Sequence, residues 1–236
     1  MTDAPGAPRP DRPDDRTIML LIGAVGAGKG TQAEILSRRL GLAHLASGDL
    51  FRAALAAGTP LGERARGYMD RGELVPDDIT IGMFMDELST PAAERGAILD
   101  GFPRTRTQAE SLDRTLADAG ERVRRAIYIE APSEELVRRV AGRWICPACG
   151  TTYHEETERP RVDGRCDRDG ATLAQRPDDR PEVVRARLEK QVPPMLEVVD
   201  HYAARGVLDR VDGMRPIDEV TRQIMELVVA ARRVEA

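Results

Sequence analysis

Apolar residues in this chain gather into short runs separated by longer amphipathic stretches. Ile18-Met19-Leu20-Leu21-Ile22 is a continuous apolar run of strand length. Ala97-Ile98-Leu99-Asp100, Arg125-Ala126-Ile127-Tyr128-Ile129 and Val207-Leu208-Asp209-Arg210-Val211 read as strands too, and Ala43-His44-Leu45 is a shorter candidate. Runs without apolar–polar alternation mark strands buried on both faces. Between them apolar positions recur at helical spacing over 32–40, 49–57, 77–89, 106–119, 133–141, 182–204 and 217–233. Strand–helix alternation predicts an α/β fold, a mostly parallel β-sheet core flanked by helices and built from right-handed crossovers. Pro193-Pro194 within the 182–204 pattern predicts a kink or a break there.

Two regions break this rhythm. Residues 46–75 hold helical patterns without a strand, and 142–179 hold turns, Pro, Cys and Gly with little helical period. Both read as insertions into a core made of 17–45, 76–141 and 180–236. Residues 1–16 carry Pro5, Pro8, Pro10 and Pro13 among Asp and Arg with no apolar period, which predicts a disordered tail.

Composition narrows the class. At 236 residues the chain can bury a large core, and aromatics at 3% leave that core to Leu, Ile, Val, Met and Ala. The net charge of −5 argues against a general nucleic-acid binder, which presents a basic excess. No apolar run approaches the ~18 residues of a membrane span. No basic start followed by an apolar stretch marks a secretory signal. Three cysteines without an export signal suit a reducing, cytoplasmic setting.

The strongest chemical signal is Gly23-Ala24-Val25-Gly26-Ala27-Gly28-Lys29-Gly30-Thr31, between the first strand and the first helix. Glycines admit positive φ and bring backbone N–H groups close to an anion. The helix start adds unpaired donors and partial positive charge, and Lys29 adds a mobile full charge. The generic phosphate loop is G-x-x-x-x-G-K-[ST]. Here Gly30 takes the hydroxyl position and the hydroxyl follows at Thr31.

Cys146-Pro147-Ala148-Cys149 and Cys166-Asp167-Arg168-Asp169 form C-x₂-C-x₁₆-C-x₂-D, a zinc-ribbon spacing with Asp last. Two such turns aim four ligands at one ion, so Cys146, Cys149, Cys166 and Asp169 are the expected set, with His154 and then Asp167 competing for the fourth place. A closed four-ligand site is structural, holding a core-poor insertion folded.

Four further segments narrow the reaction: Ser47-Gly48-Asp49-Leu50-Phe51-Arg52, Asp100-Gly101-Phe102-Pro103-Arg104 with Gln108, Gly142-Arg143, and Arg176-Pro177-Asp178-Asp179 with Arg187. With the loop, these motifs stand in the order and spacing of one family, and from about Ile18 to the C-terminus the chain resembles adenylate kinase in its long-lid, zinc-bearing bacterial form. The resemblance implies a P-loop NTPase fold with a helical nucleotide-monophosphate insertion and a zinc lid. It implies reversible transfer of a phosphoryl group from Mg·ATP to AMP, giving two ADP, by a cytoplasmic monomer.

It also implies roles. Lys29 and the amides of Gly26, Ala27, Gly28, Gly30 and Thr31 hold ATP phosphates. Arg104, Arg143, Arg176 and Arg187 converge on the phosphates of both substrates, where planar guanidiniums fork onto oxygens. Asp100 holds Mg²⁺ through water. AMP is held by Ser47, Arg52, Glu73, Leu74, Val75, Gly101, Phe102, Pro103, Arg104 and Gln108, whose amide pairs with the adenine edge. Thr152 and Tyr153 on the lid and the backbone near Gly213 to Arg215 serve ATP. Val25 replaces a usual proline and Ser47 a usual threonine; neither removes a phosphate contact. Another monophosphate acceptor, GTP as donor, or a nucleic-acid-binding zinc module are the competing readings.

Overall fold

The computed structural model describes residues 16–71 and 73–234. β1 (Thr17–Ile22), β2 (Ala43–Ala46), β3 (Gly96–Asp100), β4 (Val123–Glu130) and β7 (Leu208–Asp212) form a parallel sheet in the order β2-β3-β1-β4-β7. Helices α1 (Lys29–Leu40), α4 (Asp77–Leu88), α5 (Arg106–Asp118), α6 (Ser133–Ala141), α7 (Pro181–Ala204) and α8 (Ile217–Val234) cover it. The core sits on both faces. Ile18, Leu20 and Ile22 enter one apolar cluster and Met19 and Leu21 the other, as the two-residue strand period requires. Every side chain of β1 from Ile18 to Ile22 is buried, which is why the run shows no alternation.

Of the kink or break expected in α7 there is no break: Pro193 and Pro194 lie within one continuous helix. The carbonyls they leave without an i−4 partner belong to Glu189 and Lys190, both exposed, so water can satisfy them.

The first irregular region is a helical hairpin, α2 (Ser47–Ala56) and α3 (Pro60–Asp70). Thr59 joins them: its hydroxyl accepts from Gly62 N at 3.1 Å and donates to Ala54 O at 3.0 Å. Phe51, Ala65, Val75 and Ile79 are its buried cluster.

The second irregular region contains β5 (Arg143–Ile145) and β6 (Thr152–His154), an antiparallel pair absent from the strands expected above. Three-residue strands around a Cys-Pro-Ala-Cys turn carry too few positions to show a period. Ile145 and Ala174 exchange two backbone hydrogen bonds of 2.9 Å, closing the segment at its neck. Residues 1–15 of the expected tail lie outside the described residues. Arg16, which the expected tail included, is tied down, donating to Ala93 O at 3.0 Å and pairing with Glu121 at 3.1 Å.

Candidate active site

The C-terminal ends of β1, β2 and β3 open into a cleft of about 2070 Å³ bordered by both irregular regions. A single small ligand occupies ~300–1,000 Å³, so this cleft has room for two. Parallel sheets place ligands at this end, where the chain leaves toward opposite faces.

At its floor the loop after β1 turns through Gly26 and Gly28, at φ 85° and 95°. A Cβ on Gly26 would also stand 2.8 Å from Leu136 O, so glycine is required there twice over. α1 begins at Lys29, with its first N–H groups directed to the cleft. The Lys29 ammonium donates to Ala24 O at 2.9 Å. Burial lowers it to about 8; Asp100 opposes that shift, and Arg104, Arg187 and Arg143 add to it.

Asp100 ends β3 beside Leu21 of β1 and Ala46 of β2. Burial pushes its carboxyl upward, but His44, whose Nε2 lies 3.4 Å away, and the Lys29 and Arg104 charges hold it below the usual range. It stays ionised, an anion facing a cationic cleft.

Four guanidiniums surround that floor. Arg104 donates to Gly101 O at 2.6 Å, Ser47 Oγ at 3.0 Å and Gln191 Oε1 at 3.3 Å. Gly101 makes this possible: at φ 73°, a Cβ there would stand 2.7 Å from Ser47 Oγ and 2.8 Å from Arg104 Nη2. Arg143 grips buried Asp179 with both Nε, at 2.9 Å, and Nη2. Arg187 donates to Asp178 Oδ2 at 2.7 Å, yet its buried Nε has no partner. Arg176 has no side-chain hydrogen bond or ion pair among the described residues. Burial lowers Arg104 and Arg176 to about 10, with Arg187 contributing to the first and Arg52 and Arg143 to the second. A surplus of half-buried, incompletely bonded cations is the electrostatic complement of polyphosphate.

A smaller pocket adjoins the cleft, lined by Ser47, Phe51, Arg52, Glu73, Leu74, Val75, Gly101, Arg104 and Gln108 among others. Gln108 is buried, its Oε1 accepting from Arg104 N at 2.7 Å and its Nε2 donating to Asp77 Oδ1 at 2.7 Å. One amide hydrogen and one lone pair remain for a ligand edge. Arg52 pairs with Asp49, and Glu73 with Arg71 at 2.9 Å and Lys190 at 3.4 Å.

In the second irregular region Cys146, Cys149, Cys166 and Asp169 offer ligand atoms all within 4.8 Å of one another. Cys149 Sγ lies 3.5 Å from Cys166 Sγ, and Cys146 Sγ lies 3.3 and 3.4 Å from the Asp169 oxygens. Ligands on one tetrahedral Zn²⁺ at ~2.0–2.3 Å stand about 3.3–3.8 Å apart, so the set fits that ion. Cys166 Sγ also receives hydrogen bonds from Arg168 N at 3.4 Å and Tyr153 OH at 3.5 Å, which favour its thiolate. His154 faces elsewhere: its Nδ1 accepts from Glu156 N and Thr157 N, and its Nε2 packs on Gly142.

Most of the expected residues therefore meet at two adjoining cavities. Two differ in manner. Phe102 stacks on Phe84 at 4.2 Å between centroids and lines neither cavity, and the Tyr153 ring is turned into the cysteine cluster. Thr152 and Arg215 border the cleft, Arg215 pairing with Glu219 at 3.3 Å. Sequence reasoning missed His44, Asp77 and Gln191, which orient Asp100, Gln108 and Arg104. None lies in a motif with its partner, and only packing reveals them.

No helix among the described residues is long and apolar enough to cross a membrane. The sequence model of the adenylate kinase family matches residues 21–207. The adenylate kinase of Staphylococcus epidermidis strain RP62A is 45% identical over 210 residues, covering 89% of this chain and 98% of the relative. That of Staphylococcus aureus strain Mu50 is 43% identical with the same coverage. With the phosphate loop, the paired cavities and the cysteine-bearing lid in one frame, the chain belongs to the adenylate kinase family, nucleoside monophosphate kinases of the P-loop class.

Proposed function

We propose that this chain transfers the terminal phosphoryl of ATP to AMP, giving two ADP, with ATP on the phosphate loop and AMP in the smaller pocket. The observation that carries this reading is the convergence of Lys29, Arg104, Arg143, Arg176 and Arg187 on one cleft, with Arg187 Nε and the Arg176 guanidinium unpartnered. Phosphoryl transfer asks the protein for alignment and charge neutralisation rather than covalent chemistry. An AMP phosphate oxygen is already a competent nucleophile, so no general base is needed.

Gly26, Ala27, Gly28, Lys29, Gly30 and Thr31 hold the ATP phosphates, with Arg143, Thr152, Tyr153 and Arg215 completing that site through side chain or backbone. Ser47, Arg52, Glu73, Leu74, Val75, Gly101, Phe102, Pro103, Arg104 and Gln108 form the AMP site, Phe102 through its backbone alone. Arg176 and Arg187 bridge the two. Asp100, kept ionised, would hold Mg²⁺ through water, and that ion would neutralise charge on the ATP phosphates. Zn²⁺ held by Cys146, Cys149, Cys166 and Asp169 is structural. The enzyme acts as a cytoplasmic monomer in adenine-nucleotide balance and salvage.

A coupled assay of ATP or GTP against each nucleoside monophosphate tests the assignment. AMP with ATP is expected to give the highest kcat/KM; a different preferred pair overturns the substrate assignment. Metal analysis of the purified chain is expected to return one zinc per molecule, and none overturns the lid assignment.

A further inference from the structure

Gln32 is a buried polar residue that the functional reading leaves unused. It lies one turn into α1, behind the phosphate loop, with 3% of its surface exposed. Its Nε2 donates to Ile217 O at 3.1 Å, and its Oε1 accepts from the Thr221 hydroxyl at 2.8 Å. Thr221 is itself 1% exposed and lies 2.9 Å from the same Ile217 carbonyl. Gln32 borders the cleft on one side, while its neighbours along the two helices, Ala33, Leu36, Val220 and Ile224, belong to an apolar cluster. An apolar pair would fill this contact without the cost of desolvating an amide and a hydroxyl.

What the polar pair adds is direction. Apolar surfaces tolerate sliding, whereas hydrogen bonds fix distance and angle. The elements joined are α1, which carries Lys29 and Thr31, and the start of α8, which continues segment 213–217 on the cleft wall. That segment is held at its other end by Gly213 N, which donates to Glu130 O at 2.7 Å. We infer that Gln32 and Thr221 are positioning residues that set the spacing between the phosphate-binding loop and the base-facing segment 213–217. This rests on the proposed placement of the ATP adenine beside that segment. A nucleoside triphosphate spans both, so a shift of one against the other costs affinity only for a ligand that carries a base.

The test compares Gln32→Leu with the double variant Gln32→Leu/Thr221→Val, measuring KM for ATP, KM for AMP, inhibition by inorganic tripolyphosphate, and Tm. KM for ATP is expected to rise about tenfold in both variants, since misplacement on the order of 1 Å is enough for such losses. KM for AMP and the tripolyphosphate inhibition constant are expected to stay within about twofold of the parent. Tm is expected to stay close to the parent in both variants, because the Thr221 hydroxyl keeps the Ile217 carbonyl as its acceptor when Gln32 is replaced. An unchanged KM for ATP, a parallel loss of tripolyphosphate binding, or a rise in KM that only accompanies a collapse of Tm overturns the inference. Photolabelling of the parent chain with an azido-adenine ATP separates the two layers. Label within 213–217 upholds the adenine placement and leaves the kinetic results to decide; label elsewhere overturns both.

Discussion

The core and the lid bury very different amounts of themselves. Ile18 to Leu21 and Ala97 to Leu99 are almost wholly removed from solvent between two helical layers. The lid between Arg143 and Arg176 buries Cys146, Tyr153, Cys166 and Leu173, and two of those four are metal-ligand candidates. Burial at roughly 25 cal/mol per Å² lets the first region hold itself, while the second has too little apolar area to offset its chain entropy. The cations proposed above to grip phosphate divide along the same line. Lys29 stands on the self-sufficient core, whereas Arg143 and Arg176 stand where the lid joins it, Arg143 clasped to buried Asp179. On the proposed reading, alignment of phosphate would depend on one rigid partner and one that a metal cross-link would keep in shape.

The largest expected effect comes from the rigid side. Lys29→Met is expected to lower kcat by roughly 10³-fold, the scale of losing one preorganised charge at a phosphoryl centre, with no loss of Tm. A variant that keeps near-parent turnover would remove the loop from the mechanism. Next, Leu20→Ala should cost ~2–5 kcal/mol of global stability in denaturant titration, the range for emptying a closed core position. Leu173→Ala in the lid should leave that global value within about 0.5 kcal/mol while abolishing hydrogen-exchange protection over 143–176. Equal global losses from the two would erase the distinction between the regions.

A smaller effect is expected from the cross-link itself. Chelation, or Cys149→Ser, should lower the thermal stability of the lid before that of the core, splitting one transition into two. Turnover at room temperature should fall less, by about threefold. A single unsplit transition would mean that the lid does not unfold separately.

The smallest is a pH effect with two signs. Lys29 titrates at about 8 in the fold, below its ordinary value of 10.5, because burial disfavours its charge. Above pH 8 the folded chain holds fewer protons than the unfolded one, so this group's contribution to stability rises between about 8 and 10.5. Over the same window the cation proposed to meet ATP is lost, and KM for ATP should climb. Paired Tm and KM measurements across that range check both directions; a KM that stays flat would separate Lys29 from ATP binding.

Most of the sheet was legible because its strands are buried on both sides and therefore read as unbroken apolar runs. The phosphate loop and the cysteine turns were legible because each is local, a few residues whose backbone geometry demands Gly or whose ligands share a turn. β5 and β6 were not, since three residues cannot display a period. That α7 runs through Pro193-Pro194 without a break was not legible, because the exposure of Glu189 and Lys190 bears on it, and exposure is tertiary. His44, Asp77, Gln32 and Thr221 escaped for the same reason. Each acts on a partner 31 to 189 residues away, and nothing in the local sequence announces the meeting.

The neck of the lid carries a consequence of another kind. Because Ile145 and Ala174 bond each other across two 2.9 Å contacts, the lid leaves the core and returns to it at nearly one point. A segment whose ends already touch imposes no stretch on its host, and the closure entropy of whatever replaces it grows only slowly with length. The lid is therefore a module in the architectural sense. Its length and outer surface can be rewritten, or the whole shortened to a turn, without altering the frame from which it projects.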